Sequence, residues 1–161
     1  MTLNQQGIVM MPQEGDVLTV AGDAITFKAL GQNTQGQYAL FEIACNPEVG
    51  PPPHIHGRED EAFYILEGKV EFYLDDQTIL ATSGTFLHSP KGQKHSFKNT
   101  GTTRARMLCW VTPAGLEMFF AEVGRPIADP LNPPAPDQAA IDKLLAAAPK
   151  YGLTILGSYS K

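Results

Sequence analysis

The feature that most limits the fold is a succession of short apolar runs, cut by Gly, Pro, Asn or Asp, from about residue 7 to Thr112. Runs this short, with turn residues between them, read as strands rather than helices. GIVMM and DVLTV open the series, Ala21, Gly22 and Asp23 turn the chain into AITFKAL, and GQNTQGQ reads as a polar loop. Charges then phase the longer strands, because side chains alternate between two faces and a charge takes the wet one. Glu42 outward places Ala39, Phe41, Ile43 and Cys45 inward, and Lys69 and Glu71 do the same for Val70, Phe72 and Leu74. Lys98 outward puts His95, Phe97 and Asn99 inside; Arg104 and Arg106 outward put Ala105, Met107, Cys109 and Val111 inside. The expected class is all-β, a sandwich or barrel over about residues 7–112.

After Thr112 the pattern changes. Thr112 is placed to cap a helix with Pro113 at its first position, and Leu116, Phe119, Phe120 and Val123 recur at helical spacing before Gly124. Packing against the β region is its expected role, with a lid over an interior site as the lesser alternative. RPIADPLNPPAP holds five prolines and reads as an extended connector. Asp137 suits the N-cap of a second helix with Ile141, Leu144, Leu145 and Ala148 on one face, stopped by Pro149. LTIL is expected either as an edge strand or as surface packing. A chain of 161 residues, 43% of them hydrophobic, is expected to form a single domain over 1–161, with about 113–161 as a helical extension.

A net charge of −5 argues against nucleic acid or an anionic membrane as partner. Lys91, Lys94 and Lys98, the densest basic group, read as a solvated loop and strand edge. The first residues lack a basic stretch followed by an apolar core, so no signal peptide is expected, and no apolar run is long enough to span a bilayer. Cys45 and Cys109 fit neither a zinc motif nor a disulfide framework and are expected as buried free thiols in a cytoplasmic protein.

The chemistry concentrates in PPPHIHGREDEAFYILEG, residues 51–68. In an extended chain His54 and His56 share a face about 7 Å apart, so both imidazoles can reach one ion. The loop 57–60 reverses the chain and brings Glu61 back at the start of the strand Ala62–Leu66. His95 lies far downstream and joins them only if the fold closes. Three imidazoles and one carboxylate suit one divalent transition metal per chain (Fe, Mn, Ni, Co, Cu or Zn) and are poor for Ca or Mg. Four protein ligands leave two octahedral positions for water, substrate or dioxygen. A divalent ion with one carboxylate keeps a charge of about +1, which favours a deprotonated enol, phenol or carboxylate as ligand. Glu61 is also the catalytic candidate, able to loosen and take that proton. Glu59 fits the spacing less well and reads as a loop acid. No charge phases the strand of His88, which stays outside the ligand set. Asn99 shares the phase of His95 and could orient it, although a turn role is the preferred reading. Phe41, Phe63, Ile65, Phe72, Phe97 and Met107 are the candidate substrate wall, apolar and fit for a flat molecule, as any β core would be.

The stretch from Gly50 to Asn99 resembles the two signature motifs of the cupin superfamily, small β-barrel metalloproteins. His54-x-His56, four residues, Glu61, six residues and Gly68 match the first; Gly84, five residues, Pro90-x-Gly92, two residues, His95, three residues and Asn99 match the second. One position departs: the glycine that usually opens the first motif falls at Glu48, with Gly50 two residues nearer His54. The resemblance implies a double-stranded β-helix, or jelly-roll, barrel carrying C-terminal helices, with His54, His56, Glu61 and His95 as metal ligands. HIHGREDEAFYILEG and VTPAGLEMFFAEVG look like the single-domain quercetin dioxygenase-like cupins. That likeness implies a metal-dependent dioxygenase that binds a small phenolic or enolisable substrate through a deprotonated oxygen. A cupin-type isomerase or epimerase is an alternative, weakened because the inward positions carry no cation for phosphate. A module that binds a small ligand without turning it over is another, since one barrel serves many tasks. By the same resemblance a homodimer is expected, and exposed β edges supply a physical reason.

Overall fold

The structure is a computed structural model that describes residues 7–158. Its strands are β1 (Val17–Val20), β2 (Asp23–Ala29), β3 (Ala39–Cys45), β4 (His54–His56), β5 (Asp60–Glu67) and β6 (Lys69–Leu74). They continue with β7 (Gln77–Thr82), β8 (Phe86–Ser89), β9 (Lys94–Asn99), β10 (Ala105–Thr112), β11 (Arg125–Pro126) and β12 (Leu153–Ile155). Three helices interrupt them: α1 (Gly31–Thr34), α2 (Leu116–Val123) and α3 (Gln138–Ala147), the last running into a 3₁₀ turn at Ala148–Tyr151. One sheet has the order β11-β1-β2-β3-β10-β5-β8 and the other β12-β4-β9-β6-β7. The result is a jelly roll of two sheets rather than one closed cylinder. Among the described residues no helix is long and apolar enough to cross a membrane.

The charge-phased strands behave as alternation requires. Ala39, Phe41, Ile43 and Cys45 are buried on β3, and Ala105, Met107, Cys109 and Val111 are buried beside them on β10. Val70 and Phe72 are buried on β6, while Leu74 is half-buried. Phe63 of β5 joins the two sheets, with ring centroids 5.0 Å from Phe72 of β6 and 5.9 Å from Phe97 of β9. Each such fully buried side chain contributes about 1.5–3 kcal/mol of transfer free energy.

Three local expectations change. GIVMM is not a strand: Val9 and Met11 are exposed, and the edge of β1 that this run would need is taken by Arg125 and Pro126 of β11. GQNTQGQ contains a single helical turn, α1. Thr112 does not cap α2. β10 runs through it, its hydroxyl donates to the Gln37 carbonyl, and the helix begins at Leu116 behind Gly115. The Glu117 carboxylate accepts from the backbone N–H of Gly115 (2.7 Å) and of Gly31 (2.9 Å), which ties the start of α2 to α1. At the first motif Glu48 holds φ +67°, so the turn keeps a left-handed residue without the usual glycine. Gly50 is needed for closeness instead, since a Cβ there would lie 1.9 Å from the Phe97 carbonyl oxygen. Asp137 does cap α3, accepting from the Ala140 N–H at 2.8 Å, and LTIL becomes an edge strand, β12.

Candidate metal centre

Three strands bring the donors together. His54 and His56 lie on β4, His95 stands opposite His54 on the neighbouring β9, and Glu61 comes across from β5 of the other sheet. The alternation that puts His54 and His56 on one face also points both rings into the space between the sheets. One donor atom from each of His54, His56, Glu61 and His95 lies within 4.8 Å of every other. Ring centroids of His54 and His95 are 4.4 Å apart, and those of His56 and His95 5.4 Å.

The outer nitrogen of each imidazole is already engaged. His54 Nδ1 is 2.9 Å from the Pro52 carbonyl oxygen, to which it donates. His56 Nδ1 faces Glu59 Oε2 at 3.3 Å. His95 Nδ1 lies 3.1 Å from the Gln93 carbonyl and 3.0 Å from Ser89 Oγ. With Nδ1 protonated toward these acceptors, the lone pair sits on Nε2, the atom turned to the centre. His56 Nε2 and His95 Nε2 approach Glu61 Oε2 at 3.3 and 2.8 Å, contacts that an ion between them would replace. The other Glu61 oxygen, Oε1, accepts from the Cys109 thiol at 3.1 Å.

Electrostatics keep the set ready for a cation. Burial pushes His54 down to about 3, with help from the two neighbouring imidazoles, so its ring is neutral. Burial acts to raise Glu61, but His56, His95 and His54 outweigh it and hold the carboxyl well below the usual carboxylate range. His56 is raised overall: burial lowers it, and the Glu61 and Glu59 carboxylates more than compensate. Three imidazoles oriented from outside, beside a carboxylate, fit a divalent transition ion held by His54, His56, His95 and Glu61.

Other candidate residues fall in distinct places. Glu59 is not a solvated loop acid: it is 3% exposed and sits behind His56, where the short loop between β4 and β5 folds it inward. His88 is half-exposed on β8, its Nε2 3.7 Å from Asp60 Oδ2. Asn99 is buried but does not touch His95; its amide donates to the carbonyls of Cys45 and Thr103 and its oxygen accepts from Gly101 N–H, closing a turn. A cavity of about 80 Å³ opens on His54, His56 and Glu61, lined among others by Ile25, Ile43, Phe97, Leu116, Phe119 and Leu144. Of the six wall candidates, Phe97 lines it, whereas Phe41, Phe63, Ile65, Phe72 and Met107 are not among its lining residues. The helices thus pack and cover at once, since Leu116, Phe119 and Phe120 of α2 and Leu144 of α3 roof the cavity. Sequence reasoning found the inward phase of Cys109 but not its contact with Glu61, which depends on how β10 and β5 register. Ser89 carried no signal of its own.

Residues 41–111 match the Cupin_2 family, described as "Cupin domain". Quercetin 2,3-dioxygenase of Bacillus subtilis (strain 168) is 28% identical over 137 residues, covering 85% of this chain and 40% of that protein. The chain spans about two-fifths of the length of the curated relatives it matches. Among solved structures, KdgF from a Halomonas species superposes with a TM-score of 0.63 at 18% identity, over 70% of this chain and 99% of that one. An RmlC-like cupin from Shewanella frigidimarina gives 0.61 at 14% identity, over 72% and 99%. The fold and the match over residues 41–111 agree: that stretch is similar to the cupin domain, and the whole is folded like solved cupin structures.

Proposed function

We propose that this chain is a metal-dependent dioxygenase, quercetinase-like in its chemistry, that acts on a small enolisable or phenolic molecule. The observation that carries the reading is the buried group of three imidazoles and one carboxylate opening on an apolar cavity. The similarity to the Bacillus dioxygenase supports the reaction class. A bound divalent metal would supply Lewis acidity toward an enol or phenol oxygen and the redox chemistry that dioxygen requires. The chain's own part is to hold and to move protons. Glu61 is the proposed base for the enol proton: it lines the cavity, with Oε2 turned to the imidazoles and Oε1 accepting from the Cys109 thiol. Ile25, Ile43, Leu116 and Phe119 keep water away from the activated ligand.

Size narrows the substrate. A cavity of about 80 Å³ confines the ligand to a slender molecule. A short 1,3-diketone fits that space, while a three-ring flavonol requires α2 or α3 to move. The lining residues include no Lys or Arg, which disfavours a sugar-phosphate isomerase.

The test is elemental analysis of protein purified without added metal, followed by oxygen uptake with acetylacetone and with flavonols. About one transition metal per chain, lost from a His54→Ala, His56→Ala double variant, together with oxygen consumption, is the expected result. Metal without oxygen uptake across both ligand classes would sink the dioxygenase and leave a binding module, recognised by recovery of a tightly held ligand unchanged. A homodimer is part of the proposal: exposed Tyr64 and Phe86 lie on and beside the free edge strand β8, with Phe86 stacked on Trp110 at 5.7 Å. Light scattering that gives only monomer mass at micromolar concentration removes that part.

A further inference from the structure

The cavity has a second polar feature besides the metal donors. Asp23 opens β2 directly after the hairpin turn in which Ala21 and Gly22 both take positive φ (53° and 94°). It shares the parity of Ile25, and both residues line the same cavity as His54, His56 and Glu61. Asp23 is 6% exposed, and its Oδ1 has no hydrogen-bond partner among the described residues. An aspartate at a hairpin ordinarily turns to solvent or binds nearby backbone N–H groups. Oδ1 of Asp23 does neither, and an unsatisfied buried polar atom is costly unless something else completes it.

Its surroundings define what that partner is. Val20, Ile25, Ile43 and Leu144 are among the apolar walls of the cavity, and no Lys or Arg lines it. The titratable group beside it is the buried Cys45 thiol, itself pushed upward by burial and by Asp23. Burial raises Asp23 to about 8, so at neutral pH it is mainly the neutral acid, with one O–H to donate and one oxygen to accept. In the strand order of its sheet, β2 is separated from β5, which carries Glu61, by β3 and β10. Metal donors and Asp23 are therefore two separated polar points of one narrow apolar channel.

We propose that Asp23 is the distal anchor of the ligand, hydrogen-bonding an uncharged hydroxyl or carbonyl oxygen at the end remote from the metal donors. The ligand class follows: a slender molecule with an enolisable oxygen pair at one end and a neutral polar group at the other. This rests on the enolisable-ligand reading and adds a selectivity that reading does not contain.

The experiment compares heptane-2,4-dione with 7-hydroxyheptane-2,4-dione, which share the metal-binding end and differ by one terminal hydroxyl. Calorimetric titration of metal-loaded wild type, Asp23→Ala and Asp23→Asn reads binding directly. The expected result is a preference of about tenfold or more for the hydroxylated dione in wild type. That preference is lost in Asp23→Ala and partly kept in Asp23→Asn, while the plain dione binds all three alike and shows the variants intact. Equal binding of the two diones to wild type, or a preference that survives Asp23→Ala, overturns the proposal. Binding of neither dione by metal-loaded wild type instead overturns the enolisable-ligand reading, and the proposal with it.

Discussion

Glu59 and His56 show how much of a metal centre can lie behind its ligands. The Glu59 carboxylate faces His56 Nδ1 from a buried position, fixing which nitrogen turns inward and raising the basicity of the ring. Glu59→Gln keeps the volume and removes the charge. We expect metal affinity to fall about 10- to 100-fold, measured by competition with a chromogenic chelator, with the fold unchanged by circular dichroism. Asp23 makes a prediction about pH. Its folded-state value of about 8 lies far above the ordinary aspartate range near 3.8, so between these the folded chain keeps a proton that the unfolded chain has released. Stability from this group is thus complete below the lower value and is lost as pH rises toward the upper one, by at most about 1.4 kcal/mol per pH unit. Asp23→Asn should flatten that slope, and parallel urea midpoints for variant and wild type from about pH 5 to about pH 8 would count against it. At this scale the ligands were legible because His54, His56 and Glu61 are neighbours in the chain and His95 follows a motif. Glu59, Ser89, Cys109 and Asp23 were not legible as partners, because each acts through a contact set by loop path or strand register.

Among the elements, α3 is the one whose start was readable to the residue. Its cap is local: Asp137 accepts from Ala140 N–H, three residues on. The same carboxylate pairs with Arg125 at 2.9 and 3.0 Å, linking α3 to β11. Asp137→Ala should cost about 1 kcal/mol through the cap, with little from the exposed ion pair. For a chain of this size that lowers the melting temperature by about 3 °C. Metal content should stay unchanged, because α3 meets the cavity through Leu144 rather than through Asp137. α2 was misplaced at its start for the opposite reason. Its first turn is organised by Glu117 reaching Gly31, a partner far away in sequence, and β10 claims Thr112 before a helix can. GIVMM failed as a strand although its composition suits one, since a strand also needs a free neighbouring edge.

For the whole molecule, alternation told which side chains turn inward, but not which strands become neighbours or that two sheets stay separate. Those depend on pairings between distant segments, such as β10 lying between β3 and β5. The metal donors span that division, with Glu61 in one sheet and the three histidines in the other. An ion held there cross-links the sheets, so loading should stabilise the fold. At a free metal concentration one hundred times Kd the gain is about 2.7 kcal/mol. Thermal melts with and without metal should separate in wild type and coincide in the His54→Ala, His56→Ala variant. β12 bears on the order in which this centre is built. Leu153 pairs with His56 and Ile155 with His54, so the strand carrying two ligands gains its outer partner roughly a hundred residues after it leaves the ribosome. At 5–20 residues per second the wait is about 5–20 s, during which the histidines are made but unclamped. Closure of the metal site around His54 and His56 then waits until β12 has been made.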